Sequence, residues 1–272
     1  MQQLGEKYLR KSALPTIFCP GCGDGIILGA FIRAVEEIGV YEDLALVGGI
    51  GCSGWLPVYI NADVMHVLHG RAIPFATGLK LSGRKRKVVV FSGDGDNLAI
   101  GGNHFLHACR RNIDLTVVML NNSIYGMTGG QTAPTTPHMS KSQTSPYGNP
   151  ENPLDACKLA ECAGATYVAR WTAAHPRQLT ASFAEAMQHK GFAFIEVMSQ
   201  CPTQTGRYMK GGMNGVELLN EMKENSINIQ QGLRMTEQEL AEKIVVGVLH
   251  RENKPEFSQT MAGLVEAGGG GR

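Results

Sequence analysis

Val88-Val89-Val90-Phe91-Ser92-Gly93-Asp94-Gly95-Asp96 and Leu115-Thr116-Val117-Val118-Met119-Leu120-Asn121-Asn122 are the two stretches that decide the fold. Each contains a short apolar run rich in β-branched residues and ends in turn-forming residues, which is typical of a strand buried on both faces. Between them, residues 97–111 place apolar side chains at roughly helical spacing, which indicates a β-α-β unit. We therefore predict a doubly wound α/β fold with a mainly parallel sheet.

Two polar side chains, Asp94 and Asn122, directly follow these strands. Ligands of parallel sheets bind beyond the carboxyl ends of the strands, so we expect both side chains at the same edge. A carboxylate and an amide oxygen are suitable ligands for Mg²⁺, which usually completes its shell with phosphate and water. Gly93 and Gly95 would let backbone N–H groups approach a diphosphate closely.

The bulk composition excludes several classes of protein. A formal charge of +1 over 272 residues gives no reason to expect nucleic acid or an anionic membrane as a partner. The sequence has no apolar run long enough for a transmembrane helix, and residues 1–10 lack the apolar core of a secretory signal. We expect a cytoplasmic protein whose seven cysteines serve metal binding or packing rather than disulfides.

Helix and strand patterns alternate along the chain as far as the glycine pair at residues 211–212, which indicates one α/β domain over residues 1–210. The predicted helices cover residues 23–39, 71–82, 153–163 and 176–189, and further predicted strands cover 44–49, 166–170 and 192–198. Residues 123–150 predict a long loop, which in a compact domain is usually functional. Residues 211–272 predict a partly helical C-terminal extension, with a helix at 236–249 and a disordered tail at 268–271.

Four of the cysteines lie in predicted loops. Cys19 and Cys22 form a CxxC turn, which suits a redox dithiol, half of a zinc site or half of an iron–sulfur site. Cys52 and Cys201 each follow a predicted strand and would reach the same sheet edge as Asp94. Four such thiols can hold Zn²⁺ or a [4Fe–4S] cluster, and spacing alone does not decide between them. The remaining cysteines lie in predicted helices and suit packing: Cys109, Cys157 and Cys162.

The acidic GDG sequence and the Asn-Asn pair, with 28 residues from Asp94 to Asn122, resemble the diphosphate-binding motif of thiamine diphosphate enzymes. With the CxxC turn added, the chain resembles the β subunit of 2-oxoacid:ferredoxin oxidoreductases from about residue 19 to residue 201. The motifs that carry this resemblance are Cys19-Pro20-Gly21-Cys22-Gly23, Gly49-Ile50-Gly51-Cys52-Ser53, His69-Gly70-Arg71-Ala72, Gly93-Asp94-Gly95-Asp96, Asn121-Asn122-Ser123-Ile124-Tyr125-Gly126-Met127-Thr128-Gly129-Gly130-Gln131 and Cys201-Pro202.

The resemblance implies three groups of site residues within the predicted domain. One [4Fe–4S] cluster would be held by Cys19, Cys22, Cys52 and Cys201. Mg²⁺ would be held by the side chains of Asp94 and Asn122 and by the backbone carbonyl of Ile124. Thiamine diphosphate would be contacted by Ile50, Gly51, Cys52, Ser53, His69, Gly95, Asp96, Gly126 and Met127.

The activity implied by the resemblance is oxidative decarboxylation of a 2-oxoacid with coenzyme A, with electrons passed through the cluster to ferredoxin. The Tyr125–Gln131 loop is most similar to that of 2-oxoglutarate enzymes, which form succinyl-CoA and CO₂. Gly129 stands where several members carry lysine, so the substrate-binding roles of that loop do not transfer directly. A second substrate carboxylate needs an Arg or Lys, for which the candidates are Arg71 and a group on the partner chain. The alternatives are a pyruvate or branched-chain 2-oxoacid enzyme and, outside this class, a zinc-stabilised non-catalytic α/β subunit.

The resemblance also implies that the chain is active only with a partner. The glutamate that activates thiamine lies on a separate pyrimidine-binding domain in this family, so we expect it on an α subunit and identify no catalytic residue here. The predicted assembly is a dimer of such heterodimers.

Overall fold

The computed structural model describes residues 2–83, 85–240 and 242–269. The helices are α1 (Gln2–Tyr8), α2 (Asp24–Ile38), α3 (Ala72–Leu81), α4 (Gly102–Arg110), α5 (Ala156–Cys162), α6 (Pro176–Gln188), α7 (Arg207–Met209), α8 (Gly215–Asn225), α9 (Ile229–Gly232), α10 (Glu237–Leu240) and α11 (Phe257–Gly269). The strands are β1 (Leu44–Gly48), β2 (Asp63–His66), β3 (Lys87–Gly93), β4 (Thr116–Asn121), β5 (Ile124–Tyr125), β6 (Gln131–Thr132), β7 (Tyr167–Thr172), β8 (Ala193–Met198), β9 (Ser226–Asn228) and β10 (Ile244–Arg251).

Within the described residues, eight strands form one sheet in the order β2-β1-β3-β4-β8-β7-β10-β9. The pairs from β2 through to β7 are all parallel. β10 pairs antiparallel with β7 and parallel with β9. The predicted α/β fold with a mainly parallel sheet is therefore confirmed.

The central strands of the sheet are buried on both faces because their side chains alternate between two apolar layers. On one face, Phe91 of β3 packs against Phe31 of α2, with ring centroids 4.9 Å apart. On the other face, Phe194 of β8 packs against Phe105 of α4, with centroids 5.0 Å apart. Helices thus cover both faces, as a doubly wound sheet requires, and the strand ends are where such folds bind their ligands.

The prediction of a helix over residues 236–249 is wrong. Helix α10 ends at Leu240, and the strand β10 begins at Ile244 and pairs with β7. The apolar residues here fit both the helical period and the strand period. Three successive β-branched residues, Ile244-Val245-Val246, nevertheless favour a strand where a sheet edge offers a pairing partner. Part of the predicted extension therefore lies in the main sheet, and the boundary at residue 210 stays a prediction.

The C-terminal tail also differs from expectation. Residues 268 and 269 belong to α11, where the sequence predicted disorder, and residues 270–272 lie outside the described part of the chain. Among the residues that the structure describes, none of the helices combines the length and the apolar character needed to cross a bilayer.

Candidate functional site

The two polar residues that follow the central strands lie at one edge of the sheet. β3 and β4 are parallel neighbours, so Asp94 and Asn122 leave adjacent strand ends in the same direction. A π-helical turn, Gly95–Ile100, then connects Asp94 to α4, where the sequence predicted one helix over 97–111. Both side chains line a cavity of about 180 Å³.

The residues expected to contact thiamine diphosphate come from four separate segments of the sequence, and the structure brings them together around this cavity. Its lining includes Ile50, Gly51, Cys52, Ser53, His69, Gly95, Asp96, Gly126 and Met127. It also includes all three residues expected to bind Mg²⁺: Asp94, Asn122 and Ile124. Their contacts with a cofactor stay predictions.

Asp94 is a buried carboxyl group suited to a cation. Thr135 donates a hydrogen bond to its Oδ2. Burial raises the pKa of Asp94 to about 6, although hydrogen bonds from Thr135 and from the backbone oppose this change. A divalent ion at this position would compensate the buried negative charge.

Asp96 joins two of the loops that surround the cavity. Its Oδ1 accepts the backbone N–H of Gly70 at 2.7 Å and that of Ile50 at 3.3 Å, and lies 2.5 Å from Nδ1 of His69. Burial raises the pKa of Asp96, while these donors act in the opposite direction. The carboxylate thus fixes the positions of Ile50 and His69, both of which line the cavity.

Gly95 is required by close packing at the turn after β3. The hydroxyl of Tyr125 donates to the carbonyl of Gly95 at 3.2 Å. A Cβ atom on Gly95 would lie 2.3 Å from the ring of Tyr125, which is far inside van der Waals contact. A side chain at this position would therefore displace the tyrosine from the cavity wall.

Asn122 and Ile124 are presented by a tight turn. Asn122 Oδ1 accepts the backbone N–H of Ile124 at 3.2 Å, and Thr205 donates to the carbonyl of Asn122 at 2.6 Å. Ile124 begins β5, which pairs antiparallel with β6. The amide oxygen and the Ile124 backbone are thus held on the cavity side of this short hairpin.

The four loop cysteines line a second cavity of about 300 Å³: Cys19, Cys22, Cys52 and Cys201. Burial and the charge of Asp24 raise the pKa of Cys22 and raise that of Cys52 to about 12. Burial likewise raises the pKa of Cys201. Thiols in such surroundings ionise when a metal centre compensates their charge, so this donor set suits a thiolate-bound metal or cluster.

Gly126 separates this second cavity from the first. A Cβ atom on Gly126 would lie 3.3 Å from Asn122 Nδ2, 3.7 Å from Cys201 Sγ and 4.0 Å from Cys52 Sγ. The absence of a side chain here leaves room between the amide and the two thiols. Cys52 and Asn122 line both cavities, which therefore share a wall.

Comparison with known proteins gives the family. The sequence model of the C-terminal TPP-binding domain of thiamine pyrophosphate enzymes matches residues 49–197. The 2-oxoglutarate synthase subunit KorB of Methanocaldococcus jannaschii is 54% identical over 261 residues, which cover 96% of each chain. The chain belongs to the family of 2-oxoacid:ferredoxin oxidoreductase β subunits.

Two further relatives support this assignment of the β subunit. KorB of Archaeoglobus fulgidus is 55% identical over 218 residues, covering 80% of this chain and 79% of the relative. A solved 2-oxoglutarate:ferredoxin oxidoreductase from Magnetococcus marinus superposes with a TM-score of 0.85 at 34% identity, covering 97% of this chain and 90% of the other. The β subunit thus contains a thiamine diphosphate-binding domain and is part of an oxidoreductase that acts with partner subunits.

Sequence reasoning missed several polar residues of this β subunit. Asp24 lines both cavities and accepts a hydrogen bond from Ser199 at 2.7 Å. Its position two residues after Cys22 could have indicated it, because a carboxylate beside a metal motif is unusual. Thr135 and Thr205 lie in loops without periodicity, and no sequence signal marks their contacts with Asp94 and Asn122.

The candidate for the second substrate carboxylate lies elsewhere in the β subunit. Arg71 Nη1 donates to His104 Nε2 at 2.8 Å, and burial together with the charge of Arg71 lowers the pKa of His104. Arg71 is not among the residues that line the cavity of Asp94. Its role as a carboxylate clamp stays a prediction.

Proposed function

We propose that this chain is the β subunit of a 2-oxoglutarate:ferredoxin oxidoreductase. The enzyme would convert 2-oxoglutarate and coenzyme A into succinyl-CoA and CO₂, with release of a proton. The electron pair freed by decarboxylation would pass in single-electron steps through a [4Fe–4S] cluster to ferredoxin.

The observation that carries this proposal is the wall shared by the two cavities. Cys52 lines both the cavity of Asp94 and Asn122 and the cavity of the four loop thiols. A group oxidised in the first cavity would therefore be next to an electron acceptor in the second. Electron transfer in an oxidoreductase requires two neighbouring sites of this kind, whereas a non-catalytic scaffold does not.

The roles of the chain's own residues follow from their placement. Asp94, Asn122 and the carbonyl of Ile124 would hold Mg²⁺ and, through it, the diphosphate. Thiamine diphosphate supplies, when bound, the carbon nucleophile for the keto group and the electron sink for decarboxylation. The loops fixed by Asp96 would exclude water from the reacting atoms.

The spacing of the thiols favours a cluster over zinc. Tetrahedral zinc with Zn–S bonds of about 2.3 Å holds its sulfur atoms roughly 3.8 Å apart. In the described parts of the chain, the one group of three metal-binding side chains with all ligand atoms within 4.8 Å of each other is Asp155, Cys157 and Glu196. No three of the described loop thiols form such a group, so their sulfur atoms are not gathered at the spacing that zinc requires.

The choice of 2-oxoglutarate rests on the relatives and on the Tyr125–Gln131 loop. KorB of M. jannaschii is named a 2-oxoglutarate synthase subunit, and the M. marinus enzyme was solved with 2-oxoglutarate, coenzyme A and succinyl-CoA. At Gly129, where several members carry lysine, this chain instead has an amide network. Gln131 Nε2 donates to Gln143 Oε1 and to the carbonyl of Thr128, both at 2.8 Å.

The size of the cavity supports a shared cofactor site. About 180 Å³ is below the roughly 300–1,000 Å³ typical of small-molecule pockets. This chain would thus enclose the diphosphate end, while the pyrimidine-binding domain of an α subunit would enclose the rest and supply the activating glutamate. We propose a dimer of such heterodimers in the cytoplasm, where a reducing environment keeps the thiols available for the cluster.

The test is turnover of a panel of 2-oxoacids by the complete complex, purified under argon and supplied with coenzyme A and ferredoxin. We expect 2-oxoglutarate to be oxidised much faster than pyruvate or a branched-chain 2-oxoacid, with no product when coenzyme A is omitted. Metal analysis of the same preparation should find iron and sulfide. Faster turnover of pyruvate would reverse the substrate assignment, and stoichiometric zinc without iron would support the non-catalytic subunit.

A further inference from the structure

A buried ionic cluster lies behind the edge of the sheet that carries Asp94 and Asn122. Glu196, in the middle of β8, is 2% exposed and its Oε2 accepts from Arg170 Nε at 2.5 Å. Arg170 Nη2 also contacts Asp155 Oδ1 at 2.5 Å, and the thiol of Cys157 donates to Glu196 Oε2 at 3.3 Å. The guanidinium occupies the space between the carboxylates, so this group is not a vacant metal site.

The second oxygen of Glu196 points along the sheet toward the candidate Mg²⁺ ligands. Glu196 Oε1 accepts from Asn121 Nδ2 at 2.7 Å. Glu196 lies beside Met119 in the register of β8 with β4, so Asn121, two residues on, projects from the same face. The bond fixes the Asn121 amide with its oxygen directed away from Glu196, toward the turn after β4.

That oxygen holds a strained turn. Asn121 Oδ1 accepts the backbone N–H of Ser123 at 2.9 Å, and Ser123 has a φ of 61°. A left-handed conformation is unfavourable for serine and persists where its surroundings impose it. Ser123 separates Asn122 from Ile124, so its conformation sets how both face the cavity.

The same oxygen also contacts Thr135, the residue that supports the third candidate ligand, Asp94. Asn121 Oδ1 lies 3.1 Å from the hydroxyl of Thr135, whose other neighbour is the carboxylate of Asp94. The Thr135 hydroxyl has a single proton, which the two acceptors share, so the position of Asn121 Oδ1 affects how Thr135 donates to Asp94. Asn121 therefore contacts the supports of all three residues expected to bind Mg²⁺.

We propose that Glu196 and Asn121 are positioning residues for the Mg²⁺–diphosphate site. Glu196 orients the Asn121 amide, and Asn121 imposes the Ser123 turn and restricts Thr135. The proposal rests on the function proposed above and adds residues that touch neither the ion nor the cofactor. It assigns a purpose to a carboxylate buried in the middle of an otherwise apolar strand.

The first test is Glu196→Gln in the complete complex. A glutamine amide has one acceptor oxygen, which the charged Arg170 would take, so its N–H donors would face Asn121 Nδ2 and the orientation of Asn121 should be lost. The Mg²⁺ concentration for half-maximal thiamine diphosphate binding, measured by calorimetry, should rise about tenfold or more, as for other supports of metal ligands. Cys157→Ala, which removes a different contact of the same carboxylate, should leave it unchanged.

A rescue separates positioning from general destabilisation. Glycine adopts positive φ without strain, so Ser123→Gly should restore most of the Mg²⁺ affinity lost in Glu196→Gln. Asn121→Ala leaves the Arg170–Glu196 pair intact and should show at least as large a loss, of which Ser123→Gly restores the part that comes from the Ser123 turn. Asn121→Ala provides the test if the Glu196→Gln complex fails to assemble.

The outcomes distinguish this proposal from the function on which it rests. Wild-type affinity in both Glu196→Gln and Asn121→Ala, or a loss that Ser123→Gly does not restore, would overturn the positioning role. A wild-type complex that binds thiamine diphosphate without any dependence on Mg²⁺ would instead contradict the proposed cofactor site.

Discussion

At Asp94, the proposed role in Mg²⁺ binding and the stability of the folded chain oppose each other. Its pKa of about 6 in the folded chain, against an ordinary 3.8, means that folding places an ionised carboxylate where it is poorly solvated. The difference corresponds to about 3 kcal/mol of unfolding free energy. Because the folded chain binds this proton more tightly, the destabilisation is absent below pH 3.8, grows as pH rises and is complete above about pH 6.

Asp94→Asn removes that charge, so it should stabilise the cofactor-free chain at pH 7 by up to about 3 kcal/mol. In urea unfolding without Mg²⁺, the gain in unfolding free energy over the wild-type chain should shrink as the pH falls from 6 toward 4. The same variant should bind thiamine diphosphate about tenfold or more weakly, because the charged ligand is lost. Asp63→Asn, on an exposed carboxylate paired with Arg86, should change neither quantity appreciably. Unchanged Mg²⁺-dependent binding in Asp94→Asn would remove this residue from the site.

At the scale of elements, the loops after β1 and β8 supply two of the four thiols of the candidate cysteine site. Cys52 follows β1, and Cys201 follows β8 and precedes the π-helical turn Pro202–Gly206. Replacing either with serine should destroy or strongly destabilise the cluster, because a loop thiolate ligand is lost. Visible absorption, iron content and the electron paramagnetic resonance signal of the reduced protein report this loss.

The matched controls for the cysteine prediction lie in helices. Cys109 is buried in α4 and Cys162 is exposed at the end of α5, away from the second cavity. Serine at either position should leave iron content and the resonance signal unchanged. An intact cluster in Cys52→Ser would show that the ligand set is wrong.

The elements also show where sequence reasoning succeeds. The β-α-β unit could be predicted because β3 and β4 are buried on both faces, and such strands have a distinctive run of β-branched residues. The edge position of Asp94 and Asn122 followed from topology alone. Strand β10 could not be predicted in the same way. Its partner β7 lies 72 or more residues earlier in the sequence, and the apolar residues of β10 fit a helix as well as a strand.

The polar residues that hydrogen-bond to the candidate ligands were harder to predict than the candidate ligands themselves. Thr135 contacts Asp94 from 41 positions away, in a loop without a local pattern. Glu196 interrupts an apolar strand, which could have indicated a buried ion pair, but the sequence does not reveal that Arg170 and Asn121 are its partners. Contacts of this kind depend on register between distant strands.

At the scale of the whole molecule, the chain should be half of an enzyme. Purified alone, we expect it to keep its fold, because the sheet and both apolar layers lie within it. It should show no oxidation of 2-oxoacids even with thiamine diphosphate, Mg²⁺, coenzyme A and ferredoxin. Adding the α subunit should restore turnover, whereas robust activity of the isolated chain would mean that the activating acid lies here.

The four thiols differ in their access to solvent: Cys19 is exposed, Cys22 and Cys52 are partly covered, and Cys201 is buried. A cluster held by them would meet the outside at the Cys19 corner. Electrons leave most easily where the covering protein is thinnest, so a soluble carrier would collect them there. Dioxygen would enter by the same corner, and Cys19 would be the thiol most open to oxidation once its iron is lost. Rapid delivery of electrons and sensitivity to air would therefore have one structural origin, and shielding the cluster from air would also slow the carrier.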